Sequence, residues 1–206
     1  MLEWSEYVKI FTALLAILNP WGALPMFLAI TAKSSTAERK QIVRTIGFSV
    51  AIVLTVTALI GEKLLGVFGI TVASFQVGGS ILLLLMAIEM MHGKAKGTKE
   101  AEMAMDMGSV AVVPLSVPLI AGPGSISTVI IYANLSRSWV HLGLIIVCIL
   151  LAAFVTWLIL RAAQRVGNLI GVIGLNITSR LMGLLLSAIA VEFFVHGIIK
   201  LLPGLA

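Results

Sequence analysis

The chain has 206 residues, 60% of them hydrophobic and only 11% charged, with a mean hydropathy of +1.12. That composition excludes an ordinary water-soluble domain and points to an integral membrane protein. The formal charge of +5 does not point to nucleic acid, because the basic residues lie in short gaps between apolar segments and no basic run is interleaved with aromatics.

Six apolar spans follow in chain order, at about 8–31, 43–61, 70–91, 110–134, 139–160 and 177–201, each near the ~20 residues that a bilayer core requires. The N-terminus carries Glu3 and Glu6 in place of a basic n-region, and no A-x-A-like site follows the first apolar run, so the first span is expected to be retained. Trp4 and Trp139 are expected as interfacial anchors. The lone Cys148 excludes an intrachain disulfide and gives no redox compartment.

The first span is interrupted by Asn19-Pro20-Trp21-Gly22-Ala23-Leu24-Pro25, and the fourth by Ala121-Gly122-Pro123-Gly124-Ser125. Proline removes a backbone donor and clashes with the preceding turn, and glycine weakens the helix further. Both helices are therefore expected to break at membrane depth. Unwound backbone is tolerated there only where it is buried in protein or lines a polar cavity, so breaks at matching places in two halves point to a transporter's binding site. The bland alternative is that each motif only kinks a helix for packing.

The third span carries Gln76, which is polar and needs a partner, together with Gly78 and Gly79; the sixth carries Gly183. For the glycines, helix packing is the favoured reading. Gln76 stays open between a ligand contact and a bond to neighbouring backbone. Glu89 has His92 three residues on, and Glu192 has His196 four residues on, so each pair shares a helical face. Ionisable groups in spans are functional candidates, and a Glu–His pair can relay a proton. Glu89 lies at the end of its span, where anchoring is the favoured reading; Glu192 lies deeper, and both readings stay open.

The polar stretch from His92 to Gly108 divides the spans three and three. It defines a first repeat at 1–91, a connector at 92–109 and a second repeat at 110–206. Ten Lys and Arg residues fall in the gaps after spans one, three and five, against four on the other side, a bias that puts the connector in the cytoplasm and both termini outside. The halves also resemble each other. Gly66-Val67-Phe68-Gly69 matches Gly171-Val172-Ile173-Gly174, and at a slightly shorter offset Pro20 meets Pro123 and Glu89 meets Glu192. Because each half has an odd number of spans, the second must enter the membrane from the opposite side. The expected fold is all-α: a polytopic membrane protein of six transmembrane helices in two inverted three-helix repeats, with the first and fourth helices broken.

A helix that restarts after a break offers free N–H groups to a carboxylate, and the carbonyls that end the preceding half-helix suit an ammonium group. A zwitterionic amino acid has both. The breaks hold no charged residue, which fits a ligand whose own charges cancel. Asn19 brings an amide, Ser125, Ser127 and Thr128 bring hydroxyls able to cap the restarted helix, and Gly22, Gly122 and Gly124 leave room only for a small ligand. With Pro20, Pro25, Pro123 and Gln76, these residues other than Thr128 form the candidate site.

Nearly the whole chain resembles the MarC family of six-span membrane proteins, which includes the SnatA transporters of small neutral amino acids. The resemblance rests on Asn-Pro-x-Gly-x-x-Pro-x-Phe at Asn19 to Phe27 and on Ala-Gly-Pro-Gly-Ser at 121–125. It implies an inverted three-plus-three repeat with discontinuous first and fourth helices, and proton-coupled transport of glycine, alanine and similar amino acids in the cell (inner) membrane. The partners are then the substrate, the bilayer and, as an option, further copies of the chain, with no nucleic acid, cofactor or metal. An enzyme is not expected, since H-E-x-x-H and paired aspartates are absent and Ser125 lacks a rhomboid-like context. A channel-like pore, or an exporter of other small metabolites or drugs, is the alternative.

Overall fold

The computed structural model describes residues 3–92, 120–136, 138–202 and 204, and among them every regular element is helical. The helices are α1 (Trp4–Leu18), α2 (Leu24–Ile30), α3 (Thr36–Val67), α4 (Val72–Met91) and α5 (Pro123–Ala133), followed by a run at Trp139–Leu201. Gly171, at φ 67° and ψ 178°, divides that run into α6 (Trp139–Gly171) and α7 (Ile173–Leu201). Among the described residues four helices, α3, α4, α6 and α7, are long and apolar enough to cross a membrane. They answer to the second, third, fifth and sixth expected spans. The first expected span is in two pieces, α1 and α2. Of the fourth, positions 110–119 lie outside the described residues, as does the connector beyond His92.

Helix ends follow from local chemistry. Ser35 and Glu38 form a reciprocal capping box at the start of α3: the Glu38 amide donates to Ser35 Oγ at 3.3 Å, and the Ser35 amide donates to Glu38 Oε2 at 2.7 Å. These bonds hold the Glu38 carboxyl below the usual carboxylate range, chiefly through the Ser35 amide. A carboxylate with a depressed folded-state pKa stabilises the fold above its unfolded value and loses that contribution as pH falls through the folded one. Ser35→Ala is expected to cost about 1 kcal/mol, and Glu38→Gln to flatten the acid limb of a thermal-stability profile in detergent.

At the far end of α3 the amide of Ile70 donates to Leu65 O and that of Gly69 to Gly66 O, both at 3.0 Å, with Gly69 at φ 67°. This Schellman pattern needs a left-handed residue at Gly69. Gly69→Ala is expected to lower stability by about 1 kcal/mol, read as a fall in melting temperature in detergent. Thr71 Oγ1 then accepts from the Ser74 amide and starts α4.

Packing relies on close approach more than on apolar burial, because lipid tails are as apolar as leucine. A Cβ on Gly183 of α7 would lie 2.9 Å from Ala87 O of α4, and one on Gly197 would lie 2.7 Å from Val77 Cγ2. Position 183 pairs with 87 and position 197 with 77, so α4 and α7 run antiparallel. Gly79 of α4 rests on Ser127, and Gly124 of α5 on Leu83, so α4 and α5 are antiparallel too. The packing expectation holds for Gly79 and Gly183 and fails for Gly78, which is exposed with open space at its Cβ. Large exposed apolar side chains such as Phe48, Ile52, Leu59, Leu151 and Phe154 coat the outside of α3 and α6, as a lipid-facing surface requires. Trp4 and Trp139 are also exposed, in keeping with interfacial anchoring.

Candidate functional site

The first break is closed by Asn19, which ends α1 in the left-handed region at φ 45° and ψ 56°. Asparagine tolerates that conformation better than most residues, because its short amide can bond nearby backbone. Its Oδ1 accepts from the Gly22 amide at 3.1 Å, and its Nδ2 donates to Met90 Sδ of α4 at 3.0 Å. Its own carbonyl accepts from the Ala23 amide at 3.2 Å. The Asn19 amide group is thus spent on holding the break and fastening it to α4. Gly22 is required there, since a Cβ would sit 2.8 Å from Asn19 Cγ. Pro20 is buried, and Pro25 occupies the first turn of α2, where a missing donor costs nothing.

The second break leads into α5. Gly122 stands at the N-cap in extended backbone, Pro123 opens the helix, and no side chain among the described residues caps it. Two of the hydroxyls expected to cap this helix, those of Ser125 and Thr128, bond backward instead. Ser125 Oγ donates back to Gly122 O at 2.9 Å and Thr128 Oγ1 to Gly124 O at 2.8 Å, the pattern that serine and threonine adopt inside helices. Among the described residues, no side-chain acceptor meets the first-turn N–H groups of α5. Gly122, Gly124, Ser125, Ser127 and Thr128 are all buried.

These two breaks come together across α4. A Cβ on Gly124 would lie 2.9 Å from Leu83 Cγ and 3.7 Å from Ile17 Cγ2, and Ile17 is two residues from Asn19. Asn19, at the same time, reaches Met90, seven positions beyond Leu83. The face of α4 formed by Gly79, Ser80, Leu83, Ala87 and Met90 thus runs under both breaks. Gln76 continues that face but lies seven residues before Leu83, about 10 Å away along the axis. It is 3% exposed, and its Oε1 finds no donor among the described residues.

The carboxylates separate. Glu89 is half-buried and adjacent to Met90, the residue that Asn19 touches. His92, exposed, has Nδ1 2.8 Å from Ile88 O. Glu192 does not reach the breaks: its side chain is 70% exposed on the outside of α7, paired at 3.5 Å with His196. The depth expected for it along the span is not burial in the bundle.

Sequence reasoning missed His141. It is fully buried at the start of α6, with Nδ1 2.9 Å from the Tyr7 hydroxyl of α1 and Nε2 2.8 Å from Tyr132 O of α5. A carbonyl only accepts, so Nε2 carries the proton and Nδ1 accepts from Tyr7 in the neutral ring. One ring ties three helices. A signal was present in a polar residue close behind Trp139, but its partners lie in other parts of the chain. Among the described residues no group of His, Cys, Asp and Glu side chains could hold a metal ion.

A family profile described as MarC family integral membrane protein matches residues 4–202. A UPF0056 membrane protein of Buchnera aphidicola subsp. Acyrthosiphon pisum is 39% identical, over 98% of this chain and 95% of the relative. The UPF0056 membrane protein YhcE of Escherichia coli is 37% identical over 98% and 96%, and one from Methanocaldococcus jannaschii is 38% identical over 96% and 98%. No solved structure matches.

Proposed function

This chain belongs to the MarC family of integral membrane proteins, and from that premise we propose that it is a secondary transporter of small neutral amino acids such as glycine, alanine and serine. The observation that carries the proposal is the meeting of the two breaks on one face of α4, where Gly124 packs against Leu83 and Ile17 while Asn19 bonds Met90. The uncapped N-terminus of α5 suits a carboxylate, and the last carbonyls of α1 suit an ammonium group. Burial and the close glycine packing favour a small substrate.

The same reading includes six spans in two inverted repeats, in the cell (inner) membrane, with both termini outside. It is supported by α3 of 32 residues turning into α4 at left-handed Gly69, and α6 of 33 residues turning into α7 at left-handed Gly171. An inverted repeat puts its site where the two broken helices meet. The test is uptake of labelled glycine and alanine by reconstituted vesicles, with and without an imposed pH gradient. Saturable uptake that rises with outside acidity is expected; ion current far faster than a conformational cycle would replace the carrier by a channel.

Proton coupling, as part of this proposal, falls to Glu89 in preference to Glu192, because Glu89 adjoins the residue that holds the first break. Glu89→Gln is expected to keep glycine exchange but lose accumulation driven by a pH gradient, since exchange needs only the loaded carrier to reorient. Glu192→Gln is expected to keep both. The reverse pattern in counterflow and gradient-driven uptake would restore Glu192 to the role.

A further inference from the structure

Between α3 and α6 lies a groove of about 930 Å³ with two chemically distinct ends. One end gathers Arg39, Lys40 and Arg44 from α3 with Arg161 and Arg165 from α6. Away from that end the lining turns apolar, with Phe48, Leu150, Phe154 and Trp157. Phe48, Leu150 and Phe154 are exposed on the outer surface, so the groove opens sideways toward lipid and does not lead to the breaks.

Among the described residues the cations are poorly compensated. Arg39 is tied to Gln164 and to Thr31 O, yet its Nε is buried without a partner among the described residues. Lys40, Arg44, Arg161 and Arg165 make no ion pair among the described residues. The nearest carboxylate in sequence, Glu38, is engaged at the start of α3 with Ser35. Arg44 instead lies over the Phe48 ring at 5.6 Å and Arg161 over the Trp157 ring at 5.1 Å, while Phe154 stacks on Trp157. A cation–π contact uses the flat face of a guanidinium and leaves its N–H edge able to donate. Two forks are thereby held at the junction of the basic and apolar ends.

We propose that this groove binds an anionic phospholipid, with the phosphate among Arg44, Arg161 and their basic neighbours and the acyl chains along Phe48, Leu150 and Phe154. Charge complementarity selects the headgroup, and the lateral opening suits the chains. A zwitterionic lipid cancels the charge that five cations attract, and a soluble phosphate leaves the apolar end uncovered.

The test is native mass spectrometry of the full chain in detergent, titrated with phosphatidylglycerol, with phosphatidylcholine of the same acyl chains, and with glycerophosphoglycerol as the chain-free headgroup. Phosphatidylglycerol is expected to bind about ten-fold more tightly than phosphatidylcholine, with no binding of the chain-free headgroup. Arg44→Gln with Arg161→Gln should weaken it about ten-fold, whereas Arg44→Lys with Arg161→Lys, which keeps the charge and guards against a folding defect, should retain most of it. Equal binding of the two lipids would overturn the proposal. So would unchanged binding by the glutamine pair, or an equal loss from Arg180→Gln with Lys200→Gln, which removes two charges elsewhere. A ten-fold gain in phosphatidylglycerol binding on neutralising Glu100, Glu102 and Asp106 would make the acidic connector the occupant instead.

Discussion

Gly124→Leu is expected to abolish glycine uptake in reconstituted vesicles, while Gly78→Leu leaves it within two-fold of the native rate. Even a Cβ at position 124 would lie 2.9 Å from Leu83 Cγ, so a whole leucine cannot fit without driving α5 away from α4. Overpacking of this kind costs about 1–3 kcal/mol, which a folded bundle can survive, but the first turn of α5 would leave its place beside the first break. Gly78 has open space at its Cβ and sits next to Gly79 in the same turn, so it controls for hydrophobicity and helix propensity. Size-exclusion profiles of both variants separate lost function from lost folding. Uptake by a well-folded Gly124→Leu protein at the native rate would mean that the second break is only a kink.

Asn19 carries the second large effect, and two substitutions divide its roles. Asn19→Leu removes the bonds to Gly22 and Met90 and forces a bulky residue to φ 45°. A left-handed residue without local hydrogen bonding costs about 1–2 kcal/mol, and the Gly22 amide is left without its acceptor for about 1–3 kcal/mol more. A stability loss of about 3 kcal/mol and no measurable uptake are expected. Asn19→Gly accepts the left-handed backbone, so it should recover part of the stability while uptake stays at least ten-fold low, because the break is no longer fastened to α4. Native uptake by Asn19→Gly would show that only the backbone conformation matters. Thermal unfolding in detergent, measured alongside transport, separates the two contributions.

Some expected features depended on residues whose chemistry acts within a few positions. Pro20 with Asn19, and Pro123 with Gly122, interrupt helices wherever they stand, and the observed break at Asn19 and the start of α5 at Pro123 lie where the sequence places them. The register between the halves was less legible. Matching letters pair Gly66 with Gly171, whereas the two left-handed glycines are Gly69 and Gly171, a spacing closer to that of Pro20 and Pro123. The turn geometry follows the positions of the positive-φ glycines, which a run of similar letters does not mark.

Direction around each helix was the part that sequence left open. In a water-soluble bundle a polar stripe marks the outer face, but α4, α6 and α7 are apolar nearly all round, so periodicity does not tell bundle from lipid. Glu192 and Gly78 accordingly turned outward and Gly79 inward. The amino-acid sequence alone determined the membrane setting, the apolar spans and the two breaks, because those depend on composition and on the covalent nature of proline and glycine. Only the tertiary structure decided that Asn19 spends its amide on Met90, that Ser125 and Thr128 bond backward, that His141 joins three helices and that five cations share one groove. Each of those depends on which helix faces meet, and that is settled by the packing of small residues between segments far apart in the chain.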